Sequence, residues 1–212
     1  MWRLEFRGGE LAKVEEPALR VPPGHVALKV KAFLVDDFTL WSLRRGGRSP
    51  SRWAFGVVVA NGEVGRYVVA YAENAAAQYA ASRLYVYASP DPSSLELVHV
   101  AYVVEALNRL PRFRPVEVVG DDPRGSAVRK LAEVGKSKWR VVLQDGVVEG
   151  GVAVALSRLV EVRGNALVRF VDVPSRRALE AAAKMRLRLG LPVVGLEDLA
   201  FDKWAIVKVE GG

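Results

Sequence analysis

The segment from Val116 to Gly135, VEVVGDDPRGSAVRKLAEVG, constrains the fold of this chain more than any other stretch. It begins with a β-branched run that ends at a glycine, and apolar side chains then recur at helical spacing until the final glycine. A strand, a glycine turn and a helix form the first half of a mononucleotide-binding βαβ unit, in which the helix N-terminus receives a pyrophosphate. The segment therefore predicts a parallel α/β sheet in this half of the chain.

The turn of this segment departs from the phosphate-binding fingerprint G-x-G-x-x-G. Gly120 and Gly125 take the first and third positions, but Asp122 takes the middle one. A carboxylate there repels a phosphate by roughly 4 kcal/mol at 4 Å and an effective dielectric constant near 20. The alternative is that Asp122 caps the helix, with Pro123 at its first position, and satisfies amides that a phosphate would otherwise bind. We favour this second interpretation.

The strand expected after this helix ends at Asp145, which also has two interpretations. An acidic residue about 20 residues beyond the glycine turn holds the adenosine ribose of a dinucleotide. Asp145-Gly146 is equally a common turn sequence. The cofactor-binding candidates are thus Gly120, Asp122, Gly125 and Asp145.

Composition narrows the classes of function. Among its 212 residues the chain has no cysteine and only two histidines, which excludes thiolate chemistry and supplies histidine-based metal sites and catalysis poorly. The net charge of +7 suits nucleic acid, an anionic ligand or an ordinary charged surface. The arginines are spread out except for one local cluster: Arg44, Arg45, Arg48 and Arg52. No basic stripe interleaved with aromatic residues is visible, so we favour solvated arginines over nucleic-acid binding.

The N-terminus, MWRLEFRGGE, carries charges where a signal peptide needs an apolar run, and no apolar stretch is long enough to cross a bilayer. We therefore expect a cytoplasmic protein. The absence of cysteine and the two methionines fit the avoidance of labile residues in thermophiles.

The periodicity predicts two regions of different character. Residues 1–88 read as short strands at 2–6, 25–35, 55–60, 66–71 and 78–87. A polar link runs from the first strand through Pro22-Pro23-Gly24, and a hairpin turn is expected at Asn61-Gly62. Residues 36–43 are ambiguous between a strand end and a helical turn. A helix is expected at 95–110. An alternating pattern follows, with strands at 116–120, 139–144 and 166–173, and helices at 123–134, about 151–162 and from Pro174 to about Leu189.

Four stretches follow one another in a recognisable order. They are residues 22–47 (PPGHVALKVKAFLVDDFTLWSLRRGG), 64–91 (VGRYVVAYAENAAAQYAASRLYVYASPD), 116–135, and 189–209 (LGLPVVGLEDLAFDKWAIVKV). In this order they resemble the medium-chain dehydrogenase/reductase superfamily, the group of the zinc alcohol dehydrogenases and quinone reductases. The resemblance implies an α/β plus β fold class, with a GroES-like antiparallel β domain followed by a truncated Rossmann-like parallel α/β domain. The first domain is expected at residues 1–92, completed by 196–212, and the second at 93–195, with a cleft between them.

The chain also departs from this family. The position of the zinc-binding cysteine, or of the asparagine in zinc-free members, falls on Asp36. The Gly-His-Glu that supplies a zinc histidine is absent, and a catalytic zinc needs about three protein ligands. We therefore expect no metal site. The α/β half is also too short for the family and lacks at least one β–α unit.

By the resemblance, the substrate-binding candidates are Asp36, Thr39 and Arg52. Asp36 and Asp37 form a general acid/base pair only if they are buried beside a substrate, and solvation at a strand end is the usual fate of such residues. For Thr39 we favour a structural role. Arg52 and the other clustered arginines bind an anionic ligand in one interpretation and form a solvated loop in the other, which we favour.

Three functions remain open. The first is a shortened, zinc-free relative of this family that lacks efficient hydride transfer, has no catalytic residue or cofactor, and acts by binding a small-molecule or anionic ligand or a partner protein. The second is an active NADPH- or NADH-dependent reductase of the quinone type, which needs no metal. The third is a basic nucleic-acid-associated protein. A homo-oligomer is compatible with all three, and no membrane association is expected.

Overall fold

The computed structural model describes residues 1–7, 10–45, 49, 51–144, 146–157, 160–199 and 203–209. It divides into two compact units, Met1–Leu95 together with Leu191–Gly212, and Glu96–Gly190. The sequence placed the corresponding boundaries after residues 92 and 195.

The strands in chain order are β1 (Trp2–Arg7), β2 (Glu10–Glu15), β3 (Val26–Val35), β4 (Trp53–Ala60), β5 (Tyr67–Tyr71), β6 (Tyr79–Ser82), β7 (Leu84–Tyr87), β8 (Glu117–Val119), β9 (Trp139–Val142), β10 (Gly146–Glu149), β11 (Val152–Ala155), β12 (Val160–Arg163), β13 (Leu167–Phe170), β14 (Val193–Val194) and β15 (Ala205–Lys208). The helices are α1 (Asp37–Arg44), α2 (Glu96–Asn108), α3 (Arg124–Leu131) and α4 (Arg176–Met185), with a 3₁₀ turn at Pro92–Leu95 before α2. No helix in the described ranges is long and apolar enough to cross a membrane.

The first unit is built on a seven-stranded sheet in the order β14-β15-β3-β4-β5-β7, with β6 also paired to β3. All its pairs are antiparallel except β14 with β15. The predicted hairpin between β4 and β5 is present, and Asn61 takes the left-handed conformation at its turn (φ 58°). Alternating small and branched side chains from β3, β4 and β5 form one buried cluster. Beside this sheet, β1 and β2 form an antiparallel hairpin of their own.

The second unit contains a four-stranded parallel sheet in the order β13-β11-β9-β8. Helix α2 is buried along nearly its whole length and packs against α3 and α4. Within the described residues the strands follow one another across this sheet in chain order. A doubly wound sheet instead reverses its strand order beside the first strand, and dinucleotides bind across that point of reversal. The described strands therefore supply one half of such a sheet. The fold class predicted from the sequence is confirmed.

The helix predicted at about 151–162 is wrong. This segment contains strands β11 and β12, and β12 pairs in parallel with β10. The chain thus passes from β9 to β11 and from β11 to β13 through strands rather than helices. Gly150 and Gly151 both have positive φ (64° and 72°), and a Cβ on Gly151 would lie 2.7 Å from the Lys138 carbonyl oxygen. Two such glycines followed by alternating valines favour a tight turn into a strand.

Smaller differences concern the ends and number of elements. The polar link expected after the first strand contains β2, and the strand expected at 78–87 is divided into β6 and β7 at Arg83. Helix α4 ends at Met185 rather than near Leu189, because Arg186 adopts a left-handed conformation (φ 52°) that stops the helix. The ambiguous segment after β3 is helix α1.

Candidate functional site

The glycine turn lies at the carboxyl end of β8, where a parallel α/β sheet binds its ligands. Gly120 has φ +85°, a backbone conformation that residues other than glycine rarely adopt. A Cβ on Gly125 would lie 3.2 Å from Cδ1 of Leu143, so this glycine lets α3 pack closely on the sheet. Gly120 thus permits the turn after β8, and Gly125 permits the close packing of α3.

Asp122, at the middle position, binds the residue that begins α3. Its Oδ1 accepts a hydrogen bond from the backbone N–H of Arg124 at 2.7 Å. Its Oδ2 accepts from Nε and Nη2 of the same arginine at 3.0 and 2.6 Å. The helix starts one residue later than predicted, and Pro123 takes the N-cap position. Asp122 nevertheless satisfies a turn amide, as the capping interpretation requires.

The Arg124 side chain continues from this ion pair across the ends of the neighbouring strands. Nη1 donates to the carbonyl oxygen of Leu156 at 3.0 Å, and Nη2 donates to the carbonyl oxygen of Leu143. Leu143 follows β9 directly and Leu156 follows β11. One guanidinium thus joins the carboxyl ends of three adjacent strands, and the residue is only 1% exposed. A buried charge of this kind is stable only when it is paired and hydrogen-bonded, as it is here.

His99 on α2 lies near this ion pair and is completely buried. Burial, followed by the positive charge of Arg124, holds the pKa of His99 well below its ordinary value of 6.5. The imidazole is therefore neutral at neutral pH. One turn earlier on the helix, the buried Glu96 accepts a hydrogen bond from the backbone N–H of Leu189 at 2.9 Å. The carboxylate thus fixes the chain beyond α4 to the start of α2.

This arrangement does not fit a dinucleotide pyrophosphate. The N–H of Arg124 points to a carboxylate of the protein itself, and that carboxylate occupies the position where a glycine admits the phosphate. The guanidinium that would attract an anion is buried against the carboxylate and two strand ends. Asp145, the candidate ribose ligand, lies outside the described residues.

Asp36 and Thr39, which were predicted to bind substrate, lie together at the start of α1. Asp36 is the N-cap of that helix, and its Oδ1 accepts from the backbone N–H of Thr39 at 3.0 Å and from its hydroxyl at 3.3 Å. Both residues are buried, Thr39 completely. This capping geometry gives both side chains a structural role within the first unit.

Arg52 lies over the aromatic side of the same helix. Its guanidinium carbon is 3.3 Å from the ring centroid of Phe38 and 5.8 Å from that of Tyr71. Its Nε is buried without a hydrogen-bond partner among the described residues. Arg45 stacks on Trp41 at 4.9 Å. Arg48 and the side chain of Arg44 lie outside the description, so the predicted cluster is seen only in part.

The described residues contain no group of three or more His, Asp or Glu side chains placed to hold a metal ion. Asp36, which the resemblance aligned with the family's zinc ligand, accepts the backbone N–H of Thr39 with its Oδ1. These donors do not fit a catalytic zinc, which needs about three protein ligands.

Sequence reasoning missed two features of the site. The pattern Asp-Pro-Arg shows that Asp122 and Arg124 are close, but it does not show that the arginine reaches residues 143 and 156. The full burial of His99 follows from the apolar surroundings of α2 and was not predicted either. A helix that is apolar on every side was the available signal for it.

Several solved structures share the fold of this chain. An alcohol dehydrogenase from Thermus sp. ATN1 superposes with a TM-score of 0.71 at 12% sequence identity, covering 99% of this chain and 100% of that one. An alcohol dehydrogenase from Pyrobaculum aerophilum with bound cobalt and zinc gives 0.69 at 16% identity, covering 99% of both chains. Mycobacterial Rv1454c complexed with NADPH gives 0.62 at 13% identity, covering 99% of this chain and 100% of that one.

No protein-family model and no curated protein matches the sequence. At these identities the structural likenesses establish the fold alone. They confirm the fold that the four stretches of the sequence predicted, with antiparallel and parallel sheets in one chain.

Proposed function

We propose that this chain is a zinc-free protein with a dehydrogenase fold that binds no nicotinamide coenzyme at its glycine turn, lacks efficient hydride transfer, and acts by binding a ligand or a partner. One observation carries the proposal. The ion pair of Asp122 and Arg124 lies at the turn where a fold of this kind receives a pyrophosphate, and it is buried, with side chains 2% and 1% exposed.

The energetics of this ion pair favour the proposal. Breaking a buried pair by displacing one partner costs about 3–5 kcal/mol, because the other charge is left uncompensated. A phosphate entering the turn would have to displace Arg124 from three acceptors and then face the Asp122 carboxylate. A penalty of about 4 kcal/mol already lowers affinity about a thousandfold. Coenzyme binding is therefore expected to be too weak to support turnover.

The alternative is an active, zinc-independent reductase that uses NADPH or NADH. The structural neighbours favour it, since one is complexed with NADPH and another, an alcohol dehydrogenase from E. coli, with NADH. The coenzyme would supply a hydride, and the protein would need only to position it against an electron-poor substrate. For this chain the alternative requires that Arg124 leave its burial site.

Of the predicted ligand-binding residues, we retain Arg52 as a candidate for anion binding. Its guanidinium is held flat on Phe38, and no carboxylate among the described residues pairs with it. Stacking on an aromatic ring leaves the edge of a guanidinium free to form paired hydrogen bonds with a carboxylate or phosphate. Nucleic acid, the third function, has no comparable support.

Turnover measurements test the proposal. Purified protein is incubated with NADPH or NADH and a panel of quinones, enals and ketones, and oxidation of the coenzyme is followed by absorbance. We expect no rate above that of the protein-free mixture. Steady oxidation that depends on both protein and acceptor would overturn the proposal and support the active reductase.

A further inference from the structure

A groove of about 470 Å³ lies within the first unit, away from the glycine turn. This volume falls in the range of small-molecule sites, roughly 300–1,000 Å³. Its lining combines five apolar side chains with two opposite charges: Trp2, Leu4, Leu11, Leu196 and Val209 with Lys13 and Glu197. The groove therefore offers an apolar floor together with one cationic and one anionic group.

One wall of the groove is a face of the β1–β2 hairpin. Leu4 is directly opposite Lys13 in the hairpin register, and alternation places Trp2 and Leu11 on the same face as these two. Leu4 is buried, whereas Trp2 and Leu11 are only partly buried against the cluster beneath them. A ligand that covers these partly buried apolar side chains removes more apolar surface from water, which favours binding.

The other wall comes from the residues that follow β14 and β15. Leu196 and Val209 pack against the same cluster as the hairpin, and the N–H of Val209 donates to the Lys31 carbonyl oxygen at 2.9 Å. The Glu197 carboxylate folds back over Gly195 into the space that a Cβ at that position would occupy. The glycine thus allows the carboxylate to lie at the rim of the groove.

Neither charged group of the groove is neutralised within the described residues. Lys13 Nζ lies over the Trp2 ring, 4.9 Å from its centroid, and no hydrogen bond or ion pair joins it or Glu197 to another described side chain. In particular, the two do not pair with each other. An ammonium and a carboxylate that share an apolar groove are complementary to a ligand that carries both opposite charges.

We propose that this groove binds a zwitterion with an apolar body, of the class of apolar amino acids and short apolar peptides. The ligand's carboxylate pairs with Lys13, its ammonium pairs with Glu197, and its apolar part covers Trp2 and the aliphatic floor. The inference deepens the proposed function by naming the class of ligand. The groove belongs to the first unit and does not include Asp122 or Arg124. Ligand binding in the groove and coenzyme binding at the glycine turn are therefore tested by separate measurements, and either proposal can fail without the other.

The test uses the dipeptide Leu-Leu as probe, titrated calorimetrically into the full chain. Its matched analogues are N-acetyl-Leu-Leu, which lacks the ammonium, Leu-Leu amide, which lacks the carboxylate, and Gly-Gly, which lacks the apolar body. We expect saturable binding of Leu-Leu and roughly tenfold weaker binding of each analogue, because each loses a charge-assisted contact or the apolar surface. Titrations of free leucine and of Leu-Leu-Leu then show whether the groove prefers single amino acids or peptides.

Two variants assign the charges. The Lys13→Gln variant has no partner for the ligand's carboxylate, so we expect it to bind Leu-Leu and Leu-Leu amide with equal affinity. The Glu197→Gln variant has no partner for the ligand's ammonium, so we expect it to bind Leu-Leu and N-acetyl-Leu-Leu with equal affinity. Both side chains are exposed, so the fold is unaffected, which thermal unfolding verifies. Because the ligand covers the Trp2 ring, binding of Leu-Leu is also expected to change the tryptophan fluorescence of the chain. Trp2→Phe should remove most of this change while calorimetric binding persists. No saturable binding of Leu-Leu, or binding that ignores either charge, would overturn the inference.

Discussion

Arg124 Nη2 lies 2.6 Å from Asp122 Oδ2, in an ion pair whose two side chains are almost completely buried. The two residues are separated only by Pro123, yet the arginine also reaches the ends of β9 and β11. The pair therefore fixes the turn, the helix and two strand ends to one another. These contacts stabilise the turn at the carboxyl end of β8.

Arg124→Met is expected to lower the free energy of unfolding by about 3–5 kcal/mol, because it leaves the Asp122 carboxylate buried without its partner. Urea unfolding measures the change. Arg129→Met, at an exposed position on the same helix, is the matched control and should change stability by less than about 0.5 kcal/mol.

The double variant Asp122→Ala/Arg124→Met removes both charges, and we expect it to be more stable than Arg124→Met alone. A double variant as unstable as the single one would mean that the contacts of Arg124 with the strand-end carbonyls, rather than the ion pair, carry the stability.

Stability is expected to fall as the pH drops below 6.5. Burial and the charge of Arg124 depress the pKa of His99 in the folded protein, so the unfolded chain binds a proton that the folded chain does not. The stabilisation is complete above the ordinary histidine pKa and is lost below it, by at most about 1.4 kcal/mol per pH unit. Urea unfolding between pH 7.5 and 5 measures the slope, which should be smaller in His99→Gln. An unchanged slope in that variant would contradict this account.

Gly120→Ala is expected to destabilise the protein by about 1–2 kcal/mol, since alanine is strained at φ +85°. Gly135→Ala is the matched control at the end of the same segment. There φ is not positive and the nearest atom to a new Cβ is 3.9 Å away, so the change should be neutral or slightly stabilising. Equal effects of the two substitutions in thermal unfolding would rule out backbone strain at Gly120.

Asp36→Ala is expected to cost about 0.5–2 kcal/mol through loss of the cap on α1. Asp36→Asn keeps the Oδ1 acceptor for the Thr39 amide and should lose much less. Chemical unfolding of these two variants distinguishes a capping role of the Asp36 side chain from a role of its negative charge. If Asp36→Asn is as unstable as Asp36→Ala, the charge itself is required.

Much of the fold was readable from local sequence signals. The β-branched run before Gly120, the Asn61-Gly62 turn and the alternation after Val26 correctly predicted β8, the β4–β5 hairpin and β3. In each case a turn-forming glycine or strict alternation favoured a strand. The segment 151–162 failed because its short apolar runs fit strand and helix spacing equally well. What decided it was the glycine pair at 150–151 and the pairing of β12 with β10, a non-local contact.

The site was predictable in its chemistry rather than in its geometry. Asp122 at the middle position of the fingerprint predicted a carboxylate that satisfies a turn amide, and the structure shows this bond to the N–H of Arg124. The hydrogen bonds from Arg124 to Leu143 and Leu156 depend on how β9 and β11 lie beside β8 in the sheet. Hydrophobic periodicity within one segment does not show this. Asp36 and Thr39 were predicted as substrate-binding residues from the resemblance alone, and their capping bonds depend on helix α1, which the sequence left ambiguous.

The most direct test of the central claim is calorimetric titration of NADPH, and separately NADH, into the purified chain. The account predicts no saturable binding up to about 1 mM, because the Asp122–Arg124 pair keeps the pyrophosphate position closed. Stoichiometric binding of either coenzyme with a micromolar dissociation constant, weakened by a substitution in the Gly120–Gly125 turn, would contradict it.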